Sequence, residues 1–227
     1  MQKGIAGLQK GEGGRVEGVQ DYWDRVGPTK SFSHPIDMDR LEARLKTDAA
    51  ILDFGCGYGR VLRLLRERGY HNLVGVDPSP AMVAAARTEM PDTTIDLMAN
   101  PPDVARPDAS FDAVLIVSVL TCVPTDEGQE AMLREAHRLL RRGGLLYISD
   151  FWLQTDARNR ARYELGVQKH GTYGVFDLPE GVTLRHHDPA WIEHLTRPFT
   201  SVALEHVDVT TMNGHPARGF RWLGTKS

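Results

Sequence analysis

The decapeptide ILDFGCGYGR, residues 51–60, decides how the chain folds. Its first two residues predict the end of a buried strand, and its three glycines predict a tight turn. Val61, Leu62 and Leu65 follow at the spacing of a buried helix face. Glycines let the backbone approach a ligand, and the helix behind them directs unpaired N–H groups and a positive dipole toward it. The stretch therefore predicts a binding turn for an anionic or polar small molecule.

Composition excludes several classes of protein. The 227 residues suffice for one α/β domain, and 27 basic against 30 acidic residues leave a net charge of -3, which does not favour a nucleic-acid partner. No apolar run approaches the ~20 residues that cross a bilayer, and no secretory signal is present. Cys56 and Cys122 lack the spacing of a metal site, so no metal is expected. Two cysteines in core-like segments indicate reduced thiols, and we therefore expect a cytoplasmic protein. Without an apolar run of spanning length, no membrane partner is expected.

The N-terminal region predicts a tail followed by short helices. Residues 1–18 have no apolar period and predict a flexible tail, and residues 19–227 predict a single domain. A short helix from Val19 to Gly27 and a second helix capped by Asp37 predict a helical lid over residues 19–48.

Strands and helices alternate after the glycine turn. The segment NLVGVD predicts a second strand that ends on Asp77, and Ser79 predicts the cap of the next helix. Three more strands are predicted at TTIDLM, at residues 111–119 and at LLYISDF. A helix capped by Thr125 precedes the last of them. This alternation predicts a doubly wound parallel sheet.

The C-terminal third departs from that rhythm. Residues 152–188 are too long for a plain connection and predict an insertion, with a polar helix near residues 155–169. A helix over residues 189–197 follows. The last segment alternates, turns at residues 213–216 and returns, which predicts a closing hairpin with an antiparallel strand.

These motifs, in this order, resemble the class I S-adenosylmethionine-dependent methyltransferases of the small-molecule type. ILDFGCGYGR is similar to the first motif of that family, VGVDPSPAMVAAAR to the second, DASFDAVLIVSVLTCVP to the fourth-strand motif and EAHRLLRRGGLLYISDF to the helix and strand that follow. The resemblance covers about residues 49–151 and implies a Rossmann-like α/β sheet of order 3-2-1-4-5-7-6. It also implies S-adenosylmethionine as the cofactor.

The resemblance assigns the methionine and ribose parts of the cofactor. It implies that the methionine part lies over Gly55, Cys56 and Gly57, with Asp53 at its base. Asp77 ends the second strand, where a carboxylate accepts hydrogen bonds from both ribose hydroxyls. The GxGxG spacing differs from the dinucleotide pattern GxGxxG, so no pyrophosphate is expected here.

The adenine side is assigned in the same way. The resemblance implies that Met82 or Pro78 packs on adenine, although Met82 also fits an ordinary core methionine. Relatives often carry an Asp after the third strand, and this chain has Asn100 at that position. Ser118 and Val119 close the pocket from the fourth strand.

Acceptor residues are harder to predict. The family resemblance implies methyl transfer to an O, N, S or C nucleophile of a small molecule, recognised by residues 22–34 and 152–187. Candidate catalytic residues are Tyr22, His34 and His186. Tyr22 also fits plain packing, and a histidine at 186 or 187 fits a solvated position. Trp152, Tyr173 and Trp191 predict either an acceptor wall or anchors for the insertion.

Two other functions remain compatible with these residues. Similar folds use the same cofactor for other group transfers or as an electrostatic element, and a non-catalytic subunit can keep the pocket for a partner. We expect a monomer or a homodimer.

Overall fold

The computed structural model describes residues 19–27, 32 and 34–227, so the predicted tail at residues 1–18 lies outside the described residues. The described helices are α1 (Val19–Val26), α2 (Met38–Glu42), α3 (Arg60–Glu67), α4 (Pro80–Glu89), α5 (Asp126–Leu139), α6 (Ala157–His170) and α7 (Pro189–Thr196). The strands are β1 (Ile51–Phe54), β2 (Leu73–Asp77), β3 (Thr94–Leu97), β4 (Phe111–Val117), β5 (Leu140–Phe151), β6 (Val175–Asp177), β7 (Thr183–Arg185), β8 (Phe199–Thr210) and β9 (Pro216–Lys226).

Seven strands form one sheet in the order β3-β2-β1-β4-β5-β9-β8. Strands β1 to β5 pair in parallel, and β9 runs antiparallel to both β5 and β8. With β9 and β8 as the closing hairpin, this confirms the predicted order 3-2-1-4-5-7-6 and its reversed strand. The carboxyl ends of β1, β2, β4 and β5 therefore meet at one edge of the sheet.

The central strands are buried because helices cover both faces of the sheet. Every residue of β1 is buried, and β4 is buried over most of its length. One apolar cluster includes Leu52, Leu133 and Trp222, and a second on the other face includes Ile51, Leu62 and Tyr147. Because both faces of these parallel strands are covered, their sequences are continuous apolar runs.

The N-terminal helices are tied to the rest of the domain by side-chain hydrogen bonds and apolar contacts. The Asp24 carboxylate of α1 accepts hydrogen bonds from Ser79 Oγ at 2.5 Å and from the Ala81 N–H at 3.2 Å, which ties α1 to the start of α4. The Asp37 side chain accepts the Arg40 N–H at 3.0 Å and caps α2 as expected. The start of α2 in the lid is therefore fixed by a cap that can be recognised in the sequence, Asp37.

The insertion after β5 holds α6 and a small hairpin of β6 and β7. The helix was expected near residues 155–169, and the hairpin was not predicted from sequence. A Cβ on Gly166 of α6 would lie 1.8 Å from the Val175 carbonyl oxygen, so the helix contacts the hairpin backbone directly. The strand β5 also begins earlier than LLYISDF, directly where α5 ends. Among the described residues, no helix is long and apolar enough to span a membrane.

Candidate active site

A cavity of about 710 Å³ opens where the parallel strands end. Its walls come from the glycine turn, from the residues after β2 and β4, and from the end of β5. The lid residues Trp23 and Phe32 and the insertion complete them. One cavity therefore collects residues from both ends of the chain.

The glycine turn is held in a conformation that favours glycine. Gly55, Gly57 and Gly59 have φ values of 80°, 53° and 88°. A Cβ on Gly55 would lie 2.6 Å from the Val119 side chain, whereas a Cβ on Gly57 would meet no atom within 4 Å. Because Gly57 lines the cavity, the space beside it is available to a ligand.

Asp77 connects the turn to the second strand. Its Oδ2 accepts the Gly57 N–H at 2.9 Å, and its Oδ1 accepts the Ser79 N–H at 2.9 Å. Burial raises the pKa of this carboxyl, and the two backbone hydrogen bonds oppose that effect. Each carboxylate oxygen keeps a lone pair, so Asp77 can accept two further donors from the cavity.

Asp53 is a buried carboxyl without a partner on one oxygen. It is 1% exposed, and its Oδ2 has no hydrogen bond within the part of the chain that the structure describes. Burial raises the pKa of Asp53 to about 7, with Arg60 opposing and Asp77 adding to the shift. A cationic ligand would satisfy this oxygen, because a buried carboxylate without a partner is costly.

The segment after β4 forms the wall opposite the turn. Ser118 has a φ of 59°, unusual for a residue other than glycine, and its buried Oγ has no partner among the described residues. Asp150 holds this segment, since its Oδ2 accepts the Thr121 N–H at 3.2 Å. Strained residues that a buried carboxylate keeps in place occur often at ligand sites.

The lid covers the turn with aromatic rings. Trp23 contacts Phe32 with ring centroids 5.6 Å apart, and Phe32 stacks on Tyr58 of the turn at 5.5 Å. A Cβ on Gly27 would lie 2.2 Å from the Met82 methyl group, so the end of α1 lies against Met82. The lid and the glycine turn thus enclose one side of the cavity.

Phe151 lies between two histidines on the other side. His34 meets its ring edge-on at 5.0 Å, and His186 stacks on it at 5.3 Å. Burial lowers the pKa of His34 to about 3, and both of its ring nitrogens are buried without a partner in the described chain. A base with so low a pKa takes up a proton poorly near pH 7.

His186 presents a fixed tautomer to the cavity. The Tyr163 hydroxyl lies 2.5 Å from His186 Nδ1, and the Tyr163 oxygen accepts the Gln154 N–H at 3.2 Å. We assign the hydroxyl proton to the bond with Nδ1, which places the imidazole proton on Nε2. Burial lowers the pKa of His186 well below its usual range, so the ring is neutral at pH 7. Its Nε2 has no partner among the described residues and offers an N–H donor.

The structure brings most of the predicted site residues to this cavity. The cofactor residues that line it are Asp53, Gly55, Cys56, Gly57, Asp77, Pro78, Met82, Ser118 and Val119. Asn100 is exposed and does not line it; Met98 and Pro101 take that place.

Two of the three catalytic candidates lie at the cavity. His34 and His186 line the cavity, whereas Tyr22 does not and packs in a buried cluster with Tyr163 and Phe176. The expected solvated position of residues 186 and 187 is wrong, because both histidines are buried.

The alternatives for the insertion aromatics are also resolved by position. Trp152, Tyr173 and Trp191 do not line the cavity. Trp152 packs on Phe220 with centroids 4.2 Å apart, and the Trp191 indole N–H donates to Gln129 Oε1 at 2.6 Å. Trp152 thus anchors the start of the insertion to β9 of the sheet, and Trp191 ties α7 to α5.

Tyr58 and Phe151 line the cavity but were not predicted from sequence. Five other lining residues were predicted only as members of the acceptor segments 22–34 and 152–187: Trp23, Phe32, Arg158, Arg162 and Phe176. A usable signal existed for the two arginines, which stand one helical turn apart in a polar helix. No local pattern indicates Phe151 or Phe176, because their place depends on how the insertion folds back.

Comparisons with known proteins agree with this geometry. The family model described as a methyltransferase domain matches residues 52–148. A ubiquinone biosynthesis O-methyltransferase from Xanthomonas oryzae pv. oryzae is 29% identical over 215 residues, 91% of this chain and 84% of that protein. The chain is a class I S-adenosylmethionine-dependent methyltransferase.

Solved structures of methyltransferases share its fold. A SAM-dependent methyltransferase from Methanosarcina mazei superposes with a TM-score of 0.78 at 23% identity, over 82% of this chain and 96% of that one. The Burkholderia thailandensis 1,6-didemethyltoxoflavin-N1-methyltransferase, solved with 1,6-didemethyltoxoflavin and S-adenosylhomocysteine, superposes with a TM-score of 0.60 at 21% identity. It covers 83% of this chain and 76% of that one.

S-adenosylmethionine is the cofactor of this methyltransferase, and the cavity fits it. The unpartnered oxygen of Asp53 suits an ammonium group, and the open space beside Gly57 suits the methionine part. The two free lone pairs of Asp77 suit a pair of ribose hydroxyls. The residue assignments themselves are predictions that the following two experiments test.

Replacing Gly57 with alanine is expected to weaken S-adenosylhomocysteine binding by at least ~10-fold, because the new methyl group enters the open space of the cavity. Gly143→Ala is the matched control. Gly143 has a φ of 75°, a Cβ there would also meet no atom within 4 Å, and it does not line the cavity. Both variants should lose about 1–2 kcal/mol of stability from backbone strain. Equal affinities of the two variants by calorimetry would contradict the assignment.

Binding of S-adenosylhomocysteine is expected to weaken by roughly tenfold from pH 8 to pH 6. The Asp53 carboxyl, with its pKa raised to about 7, is mostly ionised at pH 8 and mostly protonated at pH 6, and the protonated form attracts an ammonium group less. The Asp53→Asn variant should show a smaller change, which corrects for titration of the ligand itself.

The control for this titration is Asp150→Asn. Asp150 is equally buried with its pKa raised to about 7, but it does not line the cavity. An unchanged pH dependence in Asp53→Asn, or its loss in Asp150→Asn, contradicts a role of Asp53 in binding. The stability of the unliganded protein changes with pH in the opposite direction. The raised pKa of Asp53 stabilises the folded protein at low pH, and this contribution is lost as pH rises through 7.

Proposed function

We propose that this methyltransferase transfers a methyl group from S-adenosylmethionine to an oxygen atom of a small planar molecule. The observation that carries the proposal is the neutral His186, whose Nε2–H is left for a ligand while Tyr163 occupies Nδ1 at 2.5 Å. That donor lines the cavity which also contains the glycine turn. An oxygen atom of the acceptor can accept a hydrogen bond from this N–H group, whereas an ammonium group has no lone pair with which to accept it.

The half of the site around the glycine turn, here called the donor half, would bind the cofactor and orient its methyl group. Asp77 would hold the ribose, Asp53 the ammonium group, and Gly55 and Gly57 the methionine part, while Met82 lies on the adenine side. The bound cofactor supplies a methyl group on a positively charged sulfur. Transfer then requires that the chain place an acceptor lone pair in line at about 3 Å and exclude water.

The acceptor half is apolar with few polar groups. Trp23, Phe32, Phe151 and Phe176 line the cavity, and flat rings suit a planar acceptor. His186 Nε2–H would donate to the acceptor oxygen, which orients a lone pair and favours the ionised form of an acidic hydroxyl. His34, with its pKa near 3, is a poor general base. The arrangement thus favours a phenol or enol over an alcohol.

Two relatives support a small-molecule acceptor. The Xanthomonas protein is named an O-methyltransferase of ubiquinone biosynthesis, and it matches 91% of this chain. The Burkholderia enzyme was solved with 1,6-didemethyltoxoflavin. Both names favour a small ring compound, and the first favours oxygen.

The test incubates the protein with methyl-labelled S-adenosylmethionine and sets of small phenols, alcohols, amines and thiols. We expect label in phenolic products, with an O-methyl signal by NMR. Label on nitrogen, sulfur or carbon contradicts the oxygen assignment. Binding of S-adenosylhomocysteine without any transfer would favour a non-catalytic subunit or another use of the cofactor. A cytoplasmic location and a monomeric or homodimeric state remain predictions.

A further inference from the structure

We propose that the acceptor carries an anionic substituent, such as a carboxylate, which Arg158 and Arg162 bind at the end of the cavity covered by the insertion. This inference rests on the proposed function, since it names the class of acceptor for the same site. Both arginines belong to α6, and both line the cavity. They stand four residues apart and therefore on one helix face.

The two side chains lack the counter-ions that other arginines of this protein have. Within the part of the chain that the structure describes, neither Arg158 nor Arg162 has a carboxylate within 4.0 Å. Arg185 in the same insertion is buried and pairs with Asp126 at 2.6 Å. Two like charges on adjacent turns repel each other, and Arg158 adds to the lowering of the Arg162 pKa that burial causes. An anion between them would remove this repulsion.

The guanidinium of Arg162 is positioned by an aromatic ring. It lies over the Phe176 ring, with its central carbon 3.6 Å from the ring centroid. Stacking on an aromatic ring fixes the plane of a guanidinium and leaves its edge for a planar, bidentate acceptor. A carboxylate has this shape.

The neighbouring acidic groups are engaged elsewhere. Asp156 acts electrostatically on both arginines, but it caps α6 by accepting the Asn159 N–H at 3.1 Å and forms no ion pair with either of them. Asp177 lines the same cavity, but Lys169 lies 2.5 Å and Thr183 Oγ1 2.7 Å from its carboxylate. Glu180 also lines it, and its charge acts on Tyr22 of the lid. Asp53 and Asp77 belong to the glycine turn. An acceptor with an amine instead of an acid would rely on Glu180 and is the alternative outcome of the test.

The arginines also border the proposed acceptor oxygen. Arg158 and Arg162 both act electrostatically on His186 and lower its pKa further. A ring that carries an acidic hydroxyl and a separate carboxylate therefore spans from His186 to the arginine pair. The hydroxybenzoates are the simplest molecules with this pattern, and their amides keep the shape without the charge.

The experiment titrates the S-adenosylhomocysteine complex with 2-, 3- and 4-hydroxybenzoate and with the corresponding hydroxybenzamides, by calorimetry or NMR. We expect at least one acid to bind at least tenfold more tightly than its amide. Arg158→Gln and Arg162→Gln should each remove most of that preference, and Arg162→Lys should retain part of it. Arg160→Gln, on the exposed opposite face of α6, should change nothing.

Equal binding of acids and amides, no binding of either, or a preference that survives both glutamine variants would overturn the proposal. Arg158 is exposed, so its variant folds even if Arg162→Gln does not. Affinity for S-adenosylhomocysteine should stay unchanged in all variants. Because the assay measures binding alone, failure of methyl transfer would count against the proposed function and leave this result intact.

Discussion

Replacing Asp77 with alanine is expected to weaken S-adenosylhomocysteine binding by at least about 10²-fold. Each ribose hydroxyl that donates to a charged oxygen contributes ~1.5–3 kcal/mol, and the variant loses two such bonds. It also frees the Gly57 N–H, which now lies 2.9 Å from the carboxylate, so the turn loses its fixed geometry. Calorimetry on the wild type and the variant measures the loss.

The matched control for Asp77 is Asp112→Ala. The Asp112 carboxylate of β4 likewise accepts a backbone N–H, that of Ala50 at 2.8 Å, but it does not line the cavity. We expect this variant to lose stability and to keep its affinity for S-adenosylhomocysteine. If Asp77→Ala binds as tightly as Asp112→Ala, the ribose assignment is wrong.

Replacing His186 with alanine is expected to lower kcat/KM by about 10²-fold, with the affinity for S-adenosylhomocysteine unchanged. The loss has the size that a misplaced acceptor oxygen produces. His194→Ala is the control, because His194 of α7 does not line the cavity and its Nε2 lies 3.0 Å from Glu130 on the protein surface. A decrease of the same size in both variants would indicate general damage.

The pH profile separates an orienting His186 from a general base. Its pKa is lowered well below the usual value, so His186 stays neutral from pH 8 to pH 6 and its protonation does not reduce the rate in that range. Tyr163→Phe frees Nδ1 and should lower kcat/KM, because the ring proton is no longer fixed on Nε2. A rate that falls tenfold per pH unit below pH 6.5 and flattens in His186→Ala would contradict the orienting role.

The sequence predicted the sheet and the donor side of the site because both depend on local patterns. Alternating strands and helices, with caps such as Ser79 and Thr125, leave few topologies, and the order 3-2-1-4-5-7-6 is confirmed. The glycine turn and Asp77 are adjacent in space because β1 and β2 pair in parallel, with Asp53 opposite Gly75. Residues at the ends of neighbouring parallel strands meet without further information.

The acceptor side depends on contacts between distant segments, which periodicity does not encode. His186 was a catalytic candidate with a solvated position as the alternative, and Phe151 and Phe176 bury it. Tyr22 was a catalytic candidate because it precedes the sheet, yet it joins an apolar cluster with residues of the insertion. Asn100 follows the expected strand, but the chain turns its side chain outward. The folded insertion decides the positions of His186 and Tyr22.

A crystal structure with S-adenosylhomocysteine tests the central claim most directly. We expect both ribose hydroxyls within hydrogen-bond distance of Asp77, the amino group beside Asp53, and the methionine part over Gly55 and Gly57. The sulfur should face the side of the cavity that holds His186 and Phe151. A ligand whose ribose contacts neither oxygen of Asp77, or whose sulfur faces away from His186, would contradict the account.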